Sequence, residues 1–319
     1  MCTPALRALH RRFPDANLTV AGRAPACDLL RGLPWIAAFR AIPAQPGLAR
    51  MLWIARALRA DARDLTVVFP HSFRAALLAF LVHSRRRVGY LRDWRGALLT
   101  DRVPPHKENG KIEPIYMARE YLDLVQCLGC EDDGEGLELR ADPAVVGAVR
   151  ARFPGSGPRV GIAPGAAFGP SKRWGADRFA RVADMLAGQA GAQCVLLTGP
   201  GEEDLRDAVL HAARAPLIQC DDGRPTTEVL KAAVSQLDLL VCNDSGPRHI
   251  AVAFKVPTVC IMGPTSPRYS EGPYERGEVL RVDVDCAPCQ KPVCDTDHRC
   301  MTRITPEAVA AAALRHLGR

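Results

Sequence analysis

Two stretches of this chain run from an apolar segment directly into a turn of small residues that leads to an amphipathic segment. They cover residues 160–174, VGIAPGAAFGPSKRW, and residues 240–249, LVCNDSGPRH. Strand, turn and helix in this order are typical of α/β folds, in which the amides of the turn and the positive end of the helix dipole hold phosphates. Both stretches therefore predict a diphosphate site, to which Lys172 adds a cation.

The same alternation extends along most of the chain. In the first half, strand-like runs cover residues 17–21, 37–42, 65–69, 87–90 and 98–103, between helical patterns over 3–12, 47–60, 73–83 and 113–128. In the second half, strand-like runs cover 159–163, 194–198, 216–220, 239–242 and 258–262, between helical patterns over 176–189, 202–214, 226–236 and 246–254, with a closing helix from Pro306. Such alternation predicts an α/β protein with parallel sheets covered by helices.

The domain boundaries follow from a loose stretch rich in Gly, Pro, Asp and Glu near the middle of the chain. We expect a Rossmann-like domain over residues 1–140, a linker over 141–158 and a second Rossmann-like domain with a C-terminal helix over 159–319. A Rossmann-type half normally opens with a buried strand, whereas this chain starts within a helical pattern. The first domain is therefore expected to lack its leading strand.

Composition predicts a soluble, cytoplasmic protein with acidic partners. Apolar residues make up 48% of the 319 and charged residues 24%, and the first residues do not form a secretory leader. Several of the 12 cysteines lie in strand-like runs, as expected for free thiols in a reducing compartment. The net charge of +7 includes the run 85–87. Because no aromatic platform lies among these arginines, we expect no nucleic-acid partner.

Each motif also has a purely structural interpretation. The residues around Ser245 are a good helix cap, Lys172 is compatible with an exposed lysine, and Glu202 is compatible with a first-turn acid that stabilises a helix. Four closely spaced cysteines near the C-terminus suit either a structural zinc ion or reduced thiols: Cys286, Cys289, Cys294 and Cys300. The sequence lacks G-x-S-x-G, Walker, H-E-x-x-H and G-x-G-x-x-G patterns, which disfavours hydrolases, P-loop kinases, zinc proteases and dehydrogenases.

Taken jointly, residues 163–174, residues 243–249 and the run 263–267, GPTSP, resemble the family 9 glycosyltransferases. The resemblance also covers residues 87–90 and the cysteine-rich stretch. It implies a GT-B architecture, with two Rossmann-like domains facing a cleft, the first for the acceptor and the second for the nucleotide sugar. The implied donor is ADP-L-glycero-D-manno-heptose and the implied acceptor is the heptosylated inner core of lipid A. Transfer would invert the anomeric centre, need no metal or other cofactor, and occur on the inner face of the inner membrane.

The resemblance also assigns residues to roles. Lys172 would neutralise the ADP leaving group, and Gly165 and Ala166 would line the phosphate loop. Glu202 would bind the ribose, with Glu203 as the alternative. The diphosphate and the heptose would be contacted by Asp244, Ser245, Gly246 and His249.

One departure concerns the general base. The resemblance predicts an aspartate in a Gly-Asp pair ahead of a segment like residues 1–6, so the base is expected upstream of Met1. Either the start was assigned too late, which we favour, or the gene is truncated, or another carboxylate substitutes. A chain complete as written is expected to bind the ADP-sugar but to transfer little. The alternatives are a nucleotide-sugar-binding pseudoenzyme and a GT-B-type sugar-nucleotide epimerase.

Overall fold

The computed structural model describes residues 1–43, 47–59, 64–221, 223 and 225–319. They form two compact units, Met1–Glu138 and Leu139–Arg319. The predicted linker over 141–158 lies within the second unit, where it contains a helix. Within the described ranges, we find no helix with the length and apolar character that a membrane crossing requires.

The first unit alternates helices and short strands. In chain order these are α1 (Thr3–Arg12), β1 (Thr19–Gly22), α2 (Ala24–Leu30), β2 (Ala38–Ala41), α3 (Leu48–Leu58), β3 (Leu65–Val68), α4 (Phe73–Val82), β4 (Arg86–Tyr90), β5 (Asp101–Val103), β6 (Lys107–Glu108), β7 (Lys111–Ile112) and α5 (Met117–Gln126). The predicted helix over 47–60 is α3, and its last predicted residue lies outside the described residues.

The strands of the first unit form three separate sheets. Strands β1 and β2 are parallel, β3, β4 and β5 form a second parallel sheet in that order, and β6 and β7 are an antiparallel pair. The sequence predicts one doubly wound sheet here. In the described residues the parallel strands instead divide into two sheets. No ladder of hydrogen bonds joins β1 to β3.

The second unit is larger and more regular. Its elements are α6 (Pro143–Arg150), β8 (Arg159–Ala163), α7 (Ala176–Ala190), β9 (Gln193–Leu196), α8 (Glu203–Ala212), β10 (Ile218–Gln219), α9 (Thr227–Val234), β11 (Leu239–Asn243), α10 (Gly246–Ala253), β12 (Thr258–Ile261), β13 (Gly277–Leu280), α11 (Arg299–Thr302) and α12 (Pro306–His316). The strands are parallel, in the order β10-β9-β8-β11-β12-β13. The predicted α/β class is confirmed.

The order of these strands positions the candidate site. From β8 the chain first builds outward through β9 and β10, then returns to place β11 on the other side of β8. Helix α7 packs against both α8 and α12, and α7 and α12 also contact the sheet. Helix α10 contacts the sheet and α9. Helix α9 in turn packs on α6. In such a sheet, ligands bind at the carboxyl ends of the two strands where the order reverses. Here those strands are β8 and β11.

Burial explains why these strands form. Every residue of β11 and β12 is buried, as are four of the five residues of β8. Strands covered by helices on both faces need a nearly continuous apolar run, and these segments supply one. The core on one face combines Ile162 and Val241 from the sheet with Phe179 from α7 and Val309 from α12. The loops after β8 and β11 therefore project from a rigid base.

Candidate functional site

The loops after β8 and β11 are joined by a buried amide. The Nδ2 group of Asn243, the last residue of β11, donates to the carbonyl oxygen of Pro164 at 2.7 Å. Asn243 is fully buried, so this bond forms away from water. It fixes the small-residue loop after β8 against the start of the loop after β11. The two motifs predicted to form one site are therefore adjacent.

Lys172 and Asp244 form an ion pair between these loops. The Nζ atom of Lys172 lies 2.5 Å from Oδ2 of Asp244, and both side chains are largely buried. The ammonium also lies 5.5 Å from the ring centroid of Phe168. Because an ammonium has three hydrogen-bond donors, one bond to Asp244 leaves two for a ligand. Asp244 thus orients the cation without occupying all of its donors.

Asp244 is held on its other side by Arg248, one turn along α10. The Nη1 group of Arg248 donates to Oδ1 of Asp244 at 3.0 Å. Thr265 donates its hydroxyl to Oδ2 of the same carboxylate at 2.9 Å. Burial raises the pKa of Asp244, but the charges of Lys172 and Arg248 outweigh it and hold this pKa at about 2. The carboxylate stays ionised, and its main role in this geometry is to hold Lys172.

Arg248 also forms an ion pair with Glu275. The guanidinium is fully buried, and its Nε and Nη2 groups donate to the two carboxylate oxygens of Glu275, each at 2.7 Å. Such a two-pronged pair compensates buried charge and fixes orientation. The network therefore runs from Lys172 through Asp244 and Arg248 to Glu275. Local sequence patterns offer one signal for Arg248, its position four residues after Asp244, and none for Glu275.

The N-terminus of α10 faces the same edge of the sheet. Ser245 is the N-cap, but its side chain does not cap the helix, and its hydroxyl lies 3.3 Å from the carbonyl oxygen of Asn243 as a donor. The first N–H groups of a helix lack partners within the helix, so the Gly246 amide at the start of α10 can bind an anion, whereas the Arg248 amide already donates to the carbonyl of Ser245 at 3.2 Å. Pro247 contributes none of these donors because it has no N–H.

Gly165 and Glu202 meet where the loops after β8 and β9 approach each other. Oε2 of Glu202 accepts a hydrogen bond from the Gly199 amide at 2.8 Å. A Cβ atom built on Gly165 would lie only 2.2 Å from Oε1 of Glu202, so any side chain at 165 would displace the carboxylate. Ala166, which follows, is buried. The structure thus brings the predicted phosphate loop and the predicted ribose ligand into contact.

His249 is a neutral group in this setting. It lies in the first turn of α10, and burial lowers its pKa to about 3. It is therefore uncharged at neutral pH, when it can exchange hydrogen bonds with a sugar or phosphate oxygen but cannot neutralise a phosphate. The positive charge of the site comes from Lys172 and from the amides of α10.

The cysteine-rich segment, residues 286–300, supports the turn that carries Lys172. The preceding residue, Ser171, is buried, and its amide donates to the carbonyl of Pro292 at 3.1 Å. Its hydroxyl donates to the carbonyl of Lys291 at 2.6 Å, and Nε2 of His298 donates to the Ser171 carbonyl at 2.6 Å. All 12 cysteines are free thiols, and across the described residues no three metal-ligating side chains converge.

A second polar cluster lies in the first unit, at the carboxyl ends of β3 and β4. Nη1 of Arg92 lies 3.0 Å from Nδ1 of His71, whose Nε2 lies 3.2 Å from Oε1 of Glu120. Because arginine only donates, Nδ1 must accept this bond, and the buried Nε2 faces the carboxylate without a hydrogen bond to it. The fully buried Arg95 donates to the carbonyls of Tyr90 and Pro70, which ties the two loops together. The motifs did not predict this cluster.

Comparisons with known sequences point to one family. The sequence signature of glycosyltransferase family 9 (heptosyltransferase) matches residues 51–299. Lipooligosaccharide heptosyltransferase 2 of Campylobacter jejuni subsp. jejuni serotype O:2 is 32% identical, over 98% of this chain and 92% of that protein. Lipopolysaccharide heptosyltransferase 2 of Escherichia coli K12 is 26% identical, over 95% of this chain and 90% of that protein.

Solved structures show the same fold. A family 9 glycosyltransferase from Veillonella parvula DSM 2008 superimposes with a TM-score of 0.83 at 22% identity, covering 99% of this chain and 92% of that one. The E. coli ADP-heptose LPS heptosyltransferase II superimposes with a TM-score of 0.79 at 23% identity, covering 99% of this chain and 94% of that one. These similarities extend over both units.

Proposed function

Because this chain belongs to glycosyltransferase family 9 (heptosyltransferase), as its motifs predict, we propose that it transfers a heptose to the inner core of lipopolysaccharide. Its relatives named heptosyltransferase 2 span nearly the whole chain, and this is the enzyme type that the motifs resemble most. The proposed donor is ADP-L-glycero-D-manno-heptose. The proposed acceptor is the heptosylated inner core of lipid A.

The observation that carries this proposal is the position of Lys172. Its ammonium is held by Asp244 at 2.5 Å, beside the uncapped start of α10 and at the carboxyl ends of β8 and β11. One cation and a set of preorganised amides at the point where the strand order reverses form a site for a diphosphate. The donor diphosphate would bind here, with its ribose at Glu202 and its heptose near His249.

The reaction would proceed by displacement at the anomeric carbon. The acceptor hydroxyl forms the new C–O bond as the bond to the ADP oxygen breaks, which inverts the anomeric centre and leaves additional negative charge on the terminal phosphate of ADP. Lys172 and the amides at Gly246 would meet that charge without reorganising. We therefore propose that transfer needs no metal ion. The acceptor proton would pass to an aspartate that acts as general base, as the resemblance implies.

The first unit would bind the acceptor. Its cluster of Arg92, His71 and Glu120 lies at the carboxyl ends of parallel strands, where α/β sheets bind ligands. The guanidinium of Arg92 suits a phosphate or carboxylate, and Glu120 suits a sugar hydroxyl. Such an acceptor is anchored in lipid, so the enzyme would work in the cytoplasm, in peripheral contact with the inner membrane. Its partners would include no nucleic acid.

The test is transfer measured by mass spectrometry in a protein that carries the expected general-base aspartate, with ADP-heptose as donor and heptosylated lipid A core as acceptor. Lys172→Ala should lower the rate by about 100- to 1,000-fold, because it removes a preorganised charge from the leaving group. Lys255→Ala changes an exposed lysine of the same unit and should leave the rate unchanged. Equal rates for the wild type and Lys172→Ala would remove the leaving-group role.

Other outcomes separate the alternatives. Calorimetric binding of ADP-heptose without transfer would favour a pseudoenzyme. Conversion of the nucleotide sugar without an acceptor would favour an epimerase. Absence of any binding to ADP or ADP-heptose would reject the proposed site altogether.

A further inference from the structure

The turn that carries Lys172 is held by the cysteine-rich segment. Every polar group of Ser171, the residue before Lys172, is bonded to that segment. The partners are the carbonyl of Pro292 for the amide, at 3.1 Å, the carbonyl of Lys291 for the hydroxyl, at 2.6 Å, and Nε2 of His298 for the carbonyl, at 2.6 Å. Ser171 is buried, so these bonds replace contacts with water. The backbone beside Lys172 is therefore placed by residues far along the chain.

The segment also lies directly against the loop after β8. Gly169, two residues before Ser171, has a φ of +153°, and a Cβ atom there would lie 2.3 Å from the carbonyl oxygen of Pro292. No side chain can be placed at position 169 unless the segment moves, and this φ favours glycine as well. The two backbones are thus in direct contact.

The same segment holds the loop after β12. The amide of Gln290 donates to the carbonyl of Pro264 at 2.9 Å. Pro264 precedes Thr265, whose hydroxyl donates to Oδ2 of Asp244 at 2.9 Å. The ammonium of Lys172 lies 2.5 Å from the same oxygen. One segment therefore holds the residue before each of the two groups that meet at this carboxylate oxygen.

His298 connects this arrangement to the core. It is the N-cap of α11, and its carbonyl accepts a hydrogen bond from the amide of Met301 at 2.9 Å. Cys300 and Met301 of α11 are buried in the apolar core of the second unit. Because a carbonyl only accepts, Nε2 of His298 must carry the proton of its bond to Ser171. This bond thus links the turn to a fixed point of the core.

We propose that His298 is a positioning residue, which holds Lys172 in place, through Ser171, for the diphosphate of the donor. The proposal rests on the proposed function, in which Lys172 binds that diphosphate. A preorganised charge is effective because it already lies where the ligand needs it. A misplacement of about 1 Å can cost about 100-fold in rate. His298 acts on the Ser171 carbonyl and not on the donor, so its loss should act through Lys172.

The test is binding of ADP to the full chain, measured by calorimetry. His298→Phe keeps an aromatic ring but cannot donate to the Ser171 carbonyl, and it should weaken binding about tenfold. His298→Gln can still donate through its side-chain amide, and it should bind ADP within about threefold of the wild type. His211→Phe makes the same change at an exposed position of α8 and should bind like the wild type.

A double variant separates positioning from a purely structural role. Lys172→Ala should itself weaken ADP binding. Adding His298→Phe to it should weaken binding no further, because the charge that His298 positions is gone. Ser171→Ala removes the hydroxyl bond to the Lys291 carbonyl and should show the same dependence on Lys172. It replaces His298→Phe in this comparison if circular dichroism shows that His298→Phe does not fold.

Three results would overturn the proposal: wild-type affinity in His298→Phe, equal losses in His298→Phe and His298→Gln, or a loss from His298→Phe that persists in full beside Lys172→Ala. The proposed function is tested separately, by transfer from ADP-heptose in a protein that carries the expected general-base aspartate. If that protein binds ADP and shows the dependence on Lys172 but transfers no heptose, the transfer activity is rejected and the role of His298 stands.

Discussion

Both units alternate helices and strands, but the strands of the second unit are buried more deeply than those of the first. In the second unit six strands form one parallel sheet, whose strands β8, β11 and β12 are almost entirely buried. In the first unit the parallel strands divide between two sheets, and most residues of β1, β2 and β3 remain partly exposed. The large apolar side chains left exposed also lie mostly there: Leu48, Leu52, Trp53, Phe73, Phe80, Leu91, Trp94 and Ile112.

This difference separates two kinds of binding. The second unit encloses a charged network in a rigid core, which suits one compact anionic ligand and a fixed geometry. The first unit leaves basic and apolar groups on its surface, where contact with a larger partner would cover them. Charges that are already in place stabilise a developing charge without reorganisation. An exposed apolar patch instead contributes binding free energy only when a partner covers it.

The largest expected effect compares one buried arginine in each unit. Arg248→Met leaves Glu275 as a buried carboxylate without its cation and leaves Asp244 paired with Lys172 alone, which should cost about 3–5 kcal/mol of unfolding free energy. Arg95→Met in the first unit removes hydrogen bonds to carbonyl groups only, which should cost about 1–3 kcal/mol. Urea unfolding followed by circular dichroism measures both.

The order of these two losses is the decisive result. If Arg95→Met proves the more destabilising, the first unit depends on its buried guanidinium more than the second does, and the contrast drawn from burial is wrong. Arg181→Ala, which removes an exposed ion pair with Glu307, should leave the unfolding midpoint unchanged and serves as the surface control.

A second prediction concerns acid sensitivity in the second unit. Burial lowers the pKa of His249 from 6.5 to about 3, so below pH 6.5 the unfolded chain binds a proton that the folded chain does not. Stability should therefore fall as pH drops from 6.5 towards 3, by at most about 1.4 kcal/mol per pH unit from this group. Asp244 affects stability at lower pH than His249 does. Its stabilising charge is complete above pH 3.8 and is lost only as the pH falls towards its pKa of about 2.

His249→Gln should flatten this slope between pH 6 and pH 4 in urea titrations. His211→Gln, at an exposed position on α8 in the same unit, should leave it unchanged. A slope that survives in His249→Gln would mean that other groups carry the acid response.

Much of the second unit could be predicted because its strands are apolar runs between turns. The predicted strand over 159–163 coincides with β8, and the predicted helix over 3–12 coincides with α1 in the first unit. Strand β13 could not be predicted, because it opens with Gly277 and Glu278 and lies at the edge of the sheet, where no continuous apolar run is needed. Helix α2, which is seven residues long and contains Pro25, lacks the repeat that marks a buried face.

The site was predictable only in part, for a similar reason. The loops with Gly165 and Ser245 follow apolar strands directly, so local order in the sequence is enough to indicate them. Glu275 is 27 residues from Arg248, and His71 is 21 residues from Arg92. These pairs depend on how the chain folds back on itself, which local patterns do not encode.

The smallest expected effect tests how tightly the second unit holds its donor loops. Gly165→Ala places a methyl group where Oε1 of Glu202 now lies, at 2.2 Å from the new carbon. The displaced group is the end of a flexible side chain, so unfolding free energy should change by less than about 1 kcal/mol. ADP binding measured by calorimetry should nevertheless weaken several-fold, because the carboxylate leaves the Gly199 amide that positions it.

Combining this change with Glu202→Ala distinguishes a displaced ligand from a deformed loop. If the methyl group acts only by moving Glu202, the double variant should bind ADP no more weakly than Glu202→Ala alone, so the two effects will not add. Fully additive losses would show that Gly165 is needed for the path of the backbone itself. The loop after β8 would then be adjustable, although the sheet beneath it is rigid.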